Sequence, residues 1–74
     1  MTTYLFLING DSSAKLDLEI ISGVVPRVGE ILEVKAAIAL TGSYRVTEVY
    51  YDVTAKAKGD YRLVPCRIVA KRCD

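Results

Sequence analysis

Few residues in this chain could do chemistry, and their spacing points to recognition more than to reaction. Five tyrosines (Tyr4, Tyr44, Tyr50, Tyr51 and Tyr61) and a basic set near the C-terminus (Lys56, Lys58, Arg62, Arg67, Lys71 and Arg72) stand out. Tyr50 and Tyr51 are adjacent, so on a strand they point to opposite faces and one of them lies outside the core. An outward tyrosine near Arg62, Arg67, Lys71 and Arg72 could stack bases and neutralise phosphates. The same residues also describe a solvated face that keeps a β-protein soluble and blunts a sheet edge. Asp60 and Asp74 dilute the basic stretch, which favours the solvated face.

Catalytic candidates are weaker still. Cys66 and Cys73 are seven residues apart and differ in strand phase, so a disulfide between them within one strand does not fit. The expectation is a core position for Cys66 and a frayed terminal thiol for Cys73. The chain has no histidine to serve as base or orienter for a nucleophilic cysteine. Asp17 and Glu19 sit two apart, as a general acid–base pair or a divalent-metal site would require, but alternating surface charge is the commoner reason for that spacing. Glycine-rich phosphate loops, zinc spacings and hydrolase elbows are absent. The sequence is therefore read as non-enzymatic, without catalytic residues, cofactor or metal.

The chain that must position these groups is short. Its 74 residues make one domain, taken as 1–74, whose core is marginal on its own. Yet 51% of the residues are hydrophobic and the mean hydropathy is +0.25. A small chain with more apolar residues than it can bury covers the remainder against a copy of itself or a partner. Oligomerisation is the first expectation, most simply as a homodimer or higher assembly. Charge is unevenly spread. Residues 1–35 carry five acids against three bases, and residues 36–74 carry seven bases against four acids. That asymmetry makes a two-sided molecule, far from the footprint of a dedicated nucleic-acid binder. The N-terminus does not read as a signal peptide, and no apolar run approaches the ~20 residues of a membrane span. Cytoplasmic location with reduced thiols, and no membrane partner, is the resulting expectation.

Strand signals run along the chain. Residues 3–8 form an apolar strand ended by Asn9-Gly10-Asp11, a turn that the following serines widen into a loop. Both faces of that strand are apolar, so it is either sandwiched or part of an interface. Residues 15–20 alternate cleanly, with Leu16, Leu18 and Ile20 on one face and Lys15, Asp17 and Glu19 on the other. Ser22-Gly23 breaks the strand, and residues 24–29, with Pro26 and Gly29, make a corner. Residues 30–40 read as a strand, although residues 35–40 have the propensity for a short helical turn. From residue 43 to 53 the register shifts by one, as a β-bulge near Thr47-Glu48 would produce. Residues 54–60 read as a mobile polar loop. The last strand runs over 61–71, with Pro65 marking an edge or bulge and Cys66, Ile68 and Ala70 facing inward.

The pattern Pro26-x-Val28-Gly29-Glu30, then Gly42-x-Tyr44-x-Val46-x-x-Val49, resembles short β-proteins common in bacterial and phage genomes. More generally it resembles the small Src-homology-3-like barrel, over residues 24–53. What the resemblance implies is an all-β domain of about five antiparallel strands closed into a small barrel or roll. It also implies an accessory role in a phage or mobile element. Function still has to come from a site. The leading expectation is a non-enzymatic binding or assembly module joined through Tyr4, Phe6, Ile8 and Ile21. The alternative is a nucleic-acid or partner surface built from Tyr50, Arg62, Arg67, Lys71 and Arg72.

Overall fold

A computed structural model describes residues 3–21 and 23–74; Ser22, half of the expected Ser22-Gly23 break, and the first two residues of the 1–74 domain lie outside the described residues. Five strands form one mixed sheet: β1 (Thr3–Asn9), β2 (Ser12–Leu18), β3 (Ile31–Val34), β4 (Gly42–Ala57) and β5 (Asp60–Arg72). Their order across the sheet is β2-β1-β5-β4-β3. The all-β expectation holds, with two corrections. The sheet is open rather than closed into a barrel, and it is not wholly antiparallel, because β1 and β5 run parallel in its centre. A strand apolar on both faces suits that central place, flanked by β2 on one side and β5 on the other.

The sheet curls around a core of Leu5, Leu7, Tyr44, Val46, Ile68 and Ala70, with Leu16, Leu18, Val25, Leu32, Val34, Leu40 and Val49 packed against it. Ile68 and Ala70 are fully covered. Burying each large side chain of this kind contributes about 1.5–3 kcal/mol. The core is held to one side by strict alternation: Leu5 and Leu7 point in, while Tyr4, Phe6 and Ile8 point out and are half-buried.

Local chemistry explains the connections. β1 and β2 join through Gly10 and Asp11 alone, since Asn9 pairs with Ser12. Gly10 takes φ 61°, as the first central residue of a type II′ hairpin turn must. The serines thus belong to β2 and do not widen the loop. At the expected corner, Glu30 N–H donates to the Arg27 carbonyl at 3.1 Å, and the Glu30 carboxylate accepts the Arg27 N–H. Gly29, at φ 95°, supplies the positive φ that this turn requires at its third position. Gly29 and Glu30 then bond to both backbone groups of Val46 and tie the corner to β4.

β3 stops at Val34, and a single 3-10 turn over Ile38–Leu40 follows, so the helical alternative prevails there over a strand to residue 40. The bulge at Thr47 is present as read: Val46 pairs with Ala70 and Glu48 with Val69, leaving Thr47 extra. A second irregularity falls beside Pro65, where Tyr50 pairs with Arg67 and Tyr51 with Pro65. The expected loop at residues 54–60 is instead strand up to Ala57, with only Lys58 and Gly59 turning. Among the described residues no helix is long and apolar enough to cross a membrane.

Candidate interaction surfaces

The outer face of the sheet collects most of the residues singled out from the sequence. Its side chains form cross-strand rows fixed by register. One row runs Asp17, Tyr4, Arg67, Tyr50; the next runs Lys15, Phe6, Val69, Glu48; the third runs Ser13, Ile8, Lys71, Arg45. The expected interface residues Tyr4, Phe6 and Ile8 and the alternative set Tyr50, Arg67 and Lys71 thus share one surface. A shallow hollow of about 380 Å³ is lined by Phe6, Ile8, Ser13, Glu48, Tyr50, Arg67 and Val69.

Two of the aromatic rings there carry a cation on one face. The Arg67 guanidinium lies 4.1 Å from the centroid of the Tyr50 ring, and the Lys15 ammonium lies 4.2 Å from that of Tyr4. Such stacking contributes about 0.5–1 kcal/mol at an exposed site. The Tyr50 hydroxyl donates to the Glu48 carboxylate at 3.0 Å. Base, ring and acid are therefore interleaved, and the face is amphoteric.

Arg72 does not belong to this face. Its guanidinium bonds the Asp74 carboxylate at 2.7 Å and the Thr41 carbonyl at 3.1 Å. Asp74 also accepts the Ser43 N–H at 3.0 Å, and the Ser43 hydroxyl donates to Glu33 at 2.8 Å. This polar clasp ties the C-terminal segment to the start of β4. The Ser43 amide, then the Arg72 guanidinium, holds the Asp74 carboxyl below its ordinary value, and Asp74 in turn raises Arg72. Gly42 lies directly under the clasp: a β-carbon there would stand 2.9 Å from Arg72 Nη2 and from Asp74 Oδ2. Arg62 is also apart, far along β5, opposite Thr54.

Cys66 is half-buried rather than part of the core, because the irregularity beside Pro65 sets it out of register. Its thiol donates to the Tyr50 carbonyl at 3.3 Å. Desolvation, followed by the charge of Asp52 and a hydrogen bond to it, pushes the thiol up. That disfavours the reactive thiolate. Cys73 is exposed, beside the Ser43 carbonyl.

Sequence reasoning missed the far half of the β4–β5 hairpin. Beyond Tyr50 it is a two-stranded ribbon with no third strand on either edge among the described residues. The register places Tyr51 opposite Pro65, Val53 opposite Leu63 and Ala55 opposite Tyr61. Tyr51, Val53 and Ala55 continue the parity of Val49, and the extra residue Cys66 shifts Pro65, Leu63 and Tyr61 into register with them, so together they prolong the core face beyond the core. Pro65 is half-buried, its carbonyl accepting the Thr3 hydroxyl at 2.8 Å, but farther out the face is open: Val53 is 67% exposed, Leu63 64% and Tyr61 70%. The signal was the alternation Tyr51-Val53-Ala55 answered by Tyr61-Leu63-Pro65, hidden by the polar residues between. Thirteen residues of β5 at ~3.3 Å each match the 45 Å long axis of the molecule.

The last expected interface residue, Ile21, is 90% exposed. It stands at a separate apolar cleft of about 360 Å³ formed by Leu5, Leu18, Glu19, Ile20, Ile21, Val24, Pro26 and Leu32. The structure therefore separates Ile21 from Tyr4, Phe6 and Ile8. The chain matches no known protein family, no curated protein sequence and no solved structure.

Proposed function

We propose that the chain is a non-enzymatic binding and assembly module that acts as a homo-oligomer. The observation that carries this reading is the amount of apolar side chain left uncovered on so small a body, at Ile21, Val24, Val28 and Ile38 and, on the ribbon, at Val53, Tyr61 and Leu63. Large exposed apolar patches on soluble proteins mark interaction surfaces. A two-stranded ribbon is also marginal in water without a third element to pack against, and among the described residues 53–63 have no strand beside them but each other. An accessory role in a phage or mobile element is the setting that the Pro26–Val49 pattern suggests. Light scattering on the eluting peak of a size-exclusion column tests the reading. The expected mass is at least twice the 8.1 kDa of one chain. A monomer at all concentrations up to the millimolar range overturns it.

A second reading, nucleic-acid binding, is favoured by one observation: Tyr4, Phe6 and Tyr50 share a face with Lys15, Arg45, Arg67 and Lys71. Single strands bind such faces by stacking and phosphate neutralisation. Against it, the rings of Tyr4 and Tyr50 carry their own cations, and Asp17 and Glu48 stand among them. A titration with single-stranded oligonucleotide decides. If this face binds, affinity falls steeply with salt and Arg67→Ala weakens it. No binding at low salt removes the reading.

A further inference from the structure

We infer that the ribbon of β4 and β5 beyond Tyr50 is an assembly arm whose apolar face seats in the cleft beside Ile21 of a second copy of this chain. The inference rests on the assembly reading above and names the surfaces that carry it. Arm and cleft are complementary in form. The arm is a protruding strip bearing Val53, Tyr61 and Leu63, and the cleft is an apolar hollow of about 360 Å³. One molecule carries both, so two copies related by a two-fold axis can exchange arms, each contact occurring twice.

Area and charge agree with a second copy as the occupant. Tyr51, Val53, Tyr61 and Leu63 on the arm, with Ile21 and Val24 at the cleft, leave on the order of 500 Å² of apolar side chain open to water. A standard interface takes roughly 800 Å² from each partner, of which about 65% is apolar between identical subunits. The two quantities coincide. The arm's tip carries Lys56 and Lys58 against one acid, Asp60, with Arg62 just behind them, while the cleft has Glu19 in its wall. Opposite charges at the rim favour this register over a pairing of arm with arm, which would bring the lysines together.

The test uses the full chain and two charged variants, Leu63→Asp on the arm and Ile21→Asp at the cleft. Both positions are more than half exposed, so the variants should keep the native circular-dichroism spectrum; Tyr61→Ser replaces Leu63→Asp if that variant unfolds. Light scattering is expected to show a dimer for the native chain and at least tenfold weaker association for each variant alone. An equimolar mixture of the two variants should recover a heterodimer, because one intact arm still meets one intact cleft. An arm variant that dimerises like the native chain overturns the inference and leaves assembly through another face, such as that of Phe6. An Ile21→Asp chain that dimerises like the native one while Leu63→Asp does not also overturns it, in favour of arm-to-arm contact, and loss of association in each variant without recovery in the mixture overturns the seating of arm in cleft. An assembly larger than a dimer overturns the reciprocal geometry. A native monomer overturns the arm and the assembly reading together.

Discussion

At the scale of single residues, the clasp formed by Asp74, Arg72 and Ser43 gives the clearest measurable behaviour. The native structure holds the Asp74 carboxyl below its ordinary value, first through the Ser43 amide and then through Arg72. The carboxylate form is therefore preferred in the folded chain. Its contribution to stability is fully present above the ordinary range for an aspartate and is lost as pH falls through the lowered native value. The Ser43 amide proton, followed by nuclear magnetic resonance, should titrate with a midpoint below the usual carboxylate range. In Asp74→Asn that titration should vanish. A midpoint at the ordinary aspartate value would show that the clasp is not formed in solution. Little of this was legible beforehand, because Arg72 read as one more member of a basic strand. Asp74 is only two residues away, but Thr41 and Ser43 reach the clasp through the fold alone.

At the scale of elements, turns and bulges follow from local chemistry and were largely readable. The Arg27-to-Glu30 turn is a case: Gly29 has open space around its α-carbon but a φ of 95°, so a larger residue fails there through backbone strain, not contact. Gly29→Ala should lower stability by about 1–2 kcal/mol in urea denaturation, the cost of a left-handed conformation for a residue with a β-carbon. An unchanged midpoint would mean that the turn adopts another form. The bulge at Thr47 and the irregularity by Pro65 were legible for the same reason, since each disturbs an alternation or removes a donor within a few residues. Pairing was not legible. Nothing within residues 3–8 states that the neighbour of β1 is β5 and that the two run parallel. The tip of the long hairpin was missed for a different reason. Lys56, Lys58 and Asp60 are spaced as a polar loop would be, yet they occupy the outer positions and turn of a continuous ribbon whose other face is apolar.

At the scale of the whole molecule, the chain divides into a body and an extension. The body has the sheet's core, Leu5, Leu7, Tyr44, Val46, Ile68 and Ala70, closed by the Arg27-to-Glu30 corner and the clasp. The extension has the same facial alternation without anything to cover it. A single protomer therefore covers its core only where the other strands flank β4 and β5, and the remaining ribbon leaves Val53, Tyr61 and Leu63 open to water. On the amphoteric outer face, by contrast, Tyr4 and Tyr50 each meet a cation and Tyr50 bonds Glu48, so polar partners lie among the apolar side chains. The ribbon thus leaves its apolar side chains more exposed than Tyr4, Phe6 and Ile8, which are half-buried on the strand that the sequence singled out.

The parallel pair at the centre of the sheet has a consequence for how the protein is made. During synthesis the β1–β2 hairpin leaves the ribosome before the other three strands, with Leu5 and Leu7 and a bare strand edge beside them. The strand that covers that edge, β5, is the last of the five to be translated. Until residues 67–71 emerge, the nascent chain is half a sheet with an adhesive rim, the kind of species on which aggregation and chaperone capture act. Closure then joins positions more than sixty residues apart, a distant pairing that slows folding relative to local contacts. Cells that produce this small protein quickly would thus expose the unfinished centre of its sheet, rather than its long hairpin, to neighbouring nascent chains.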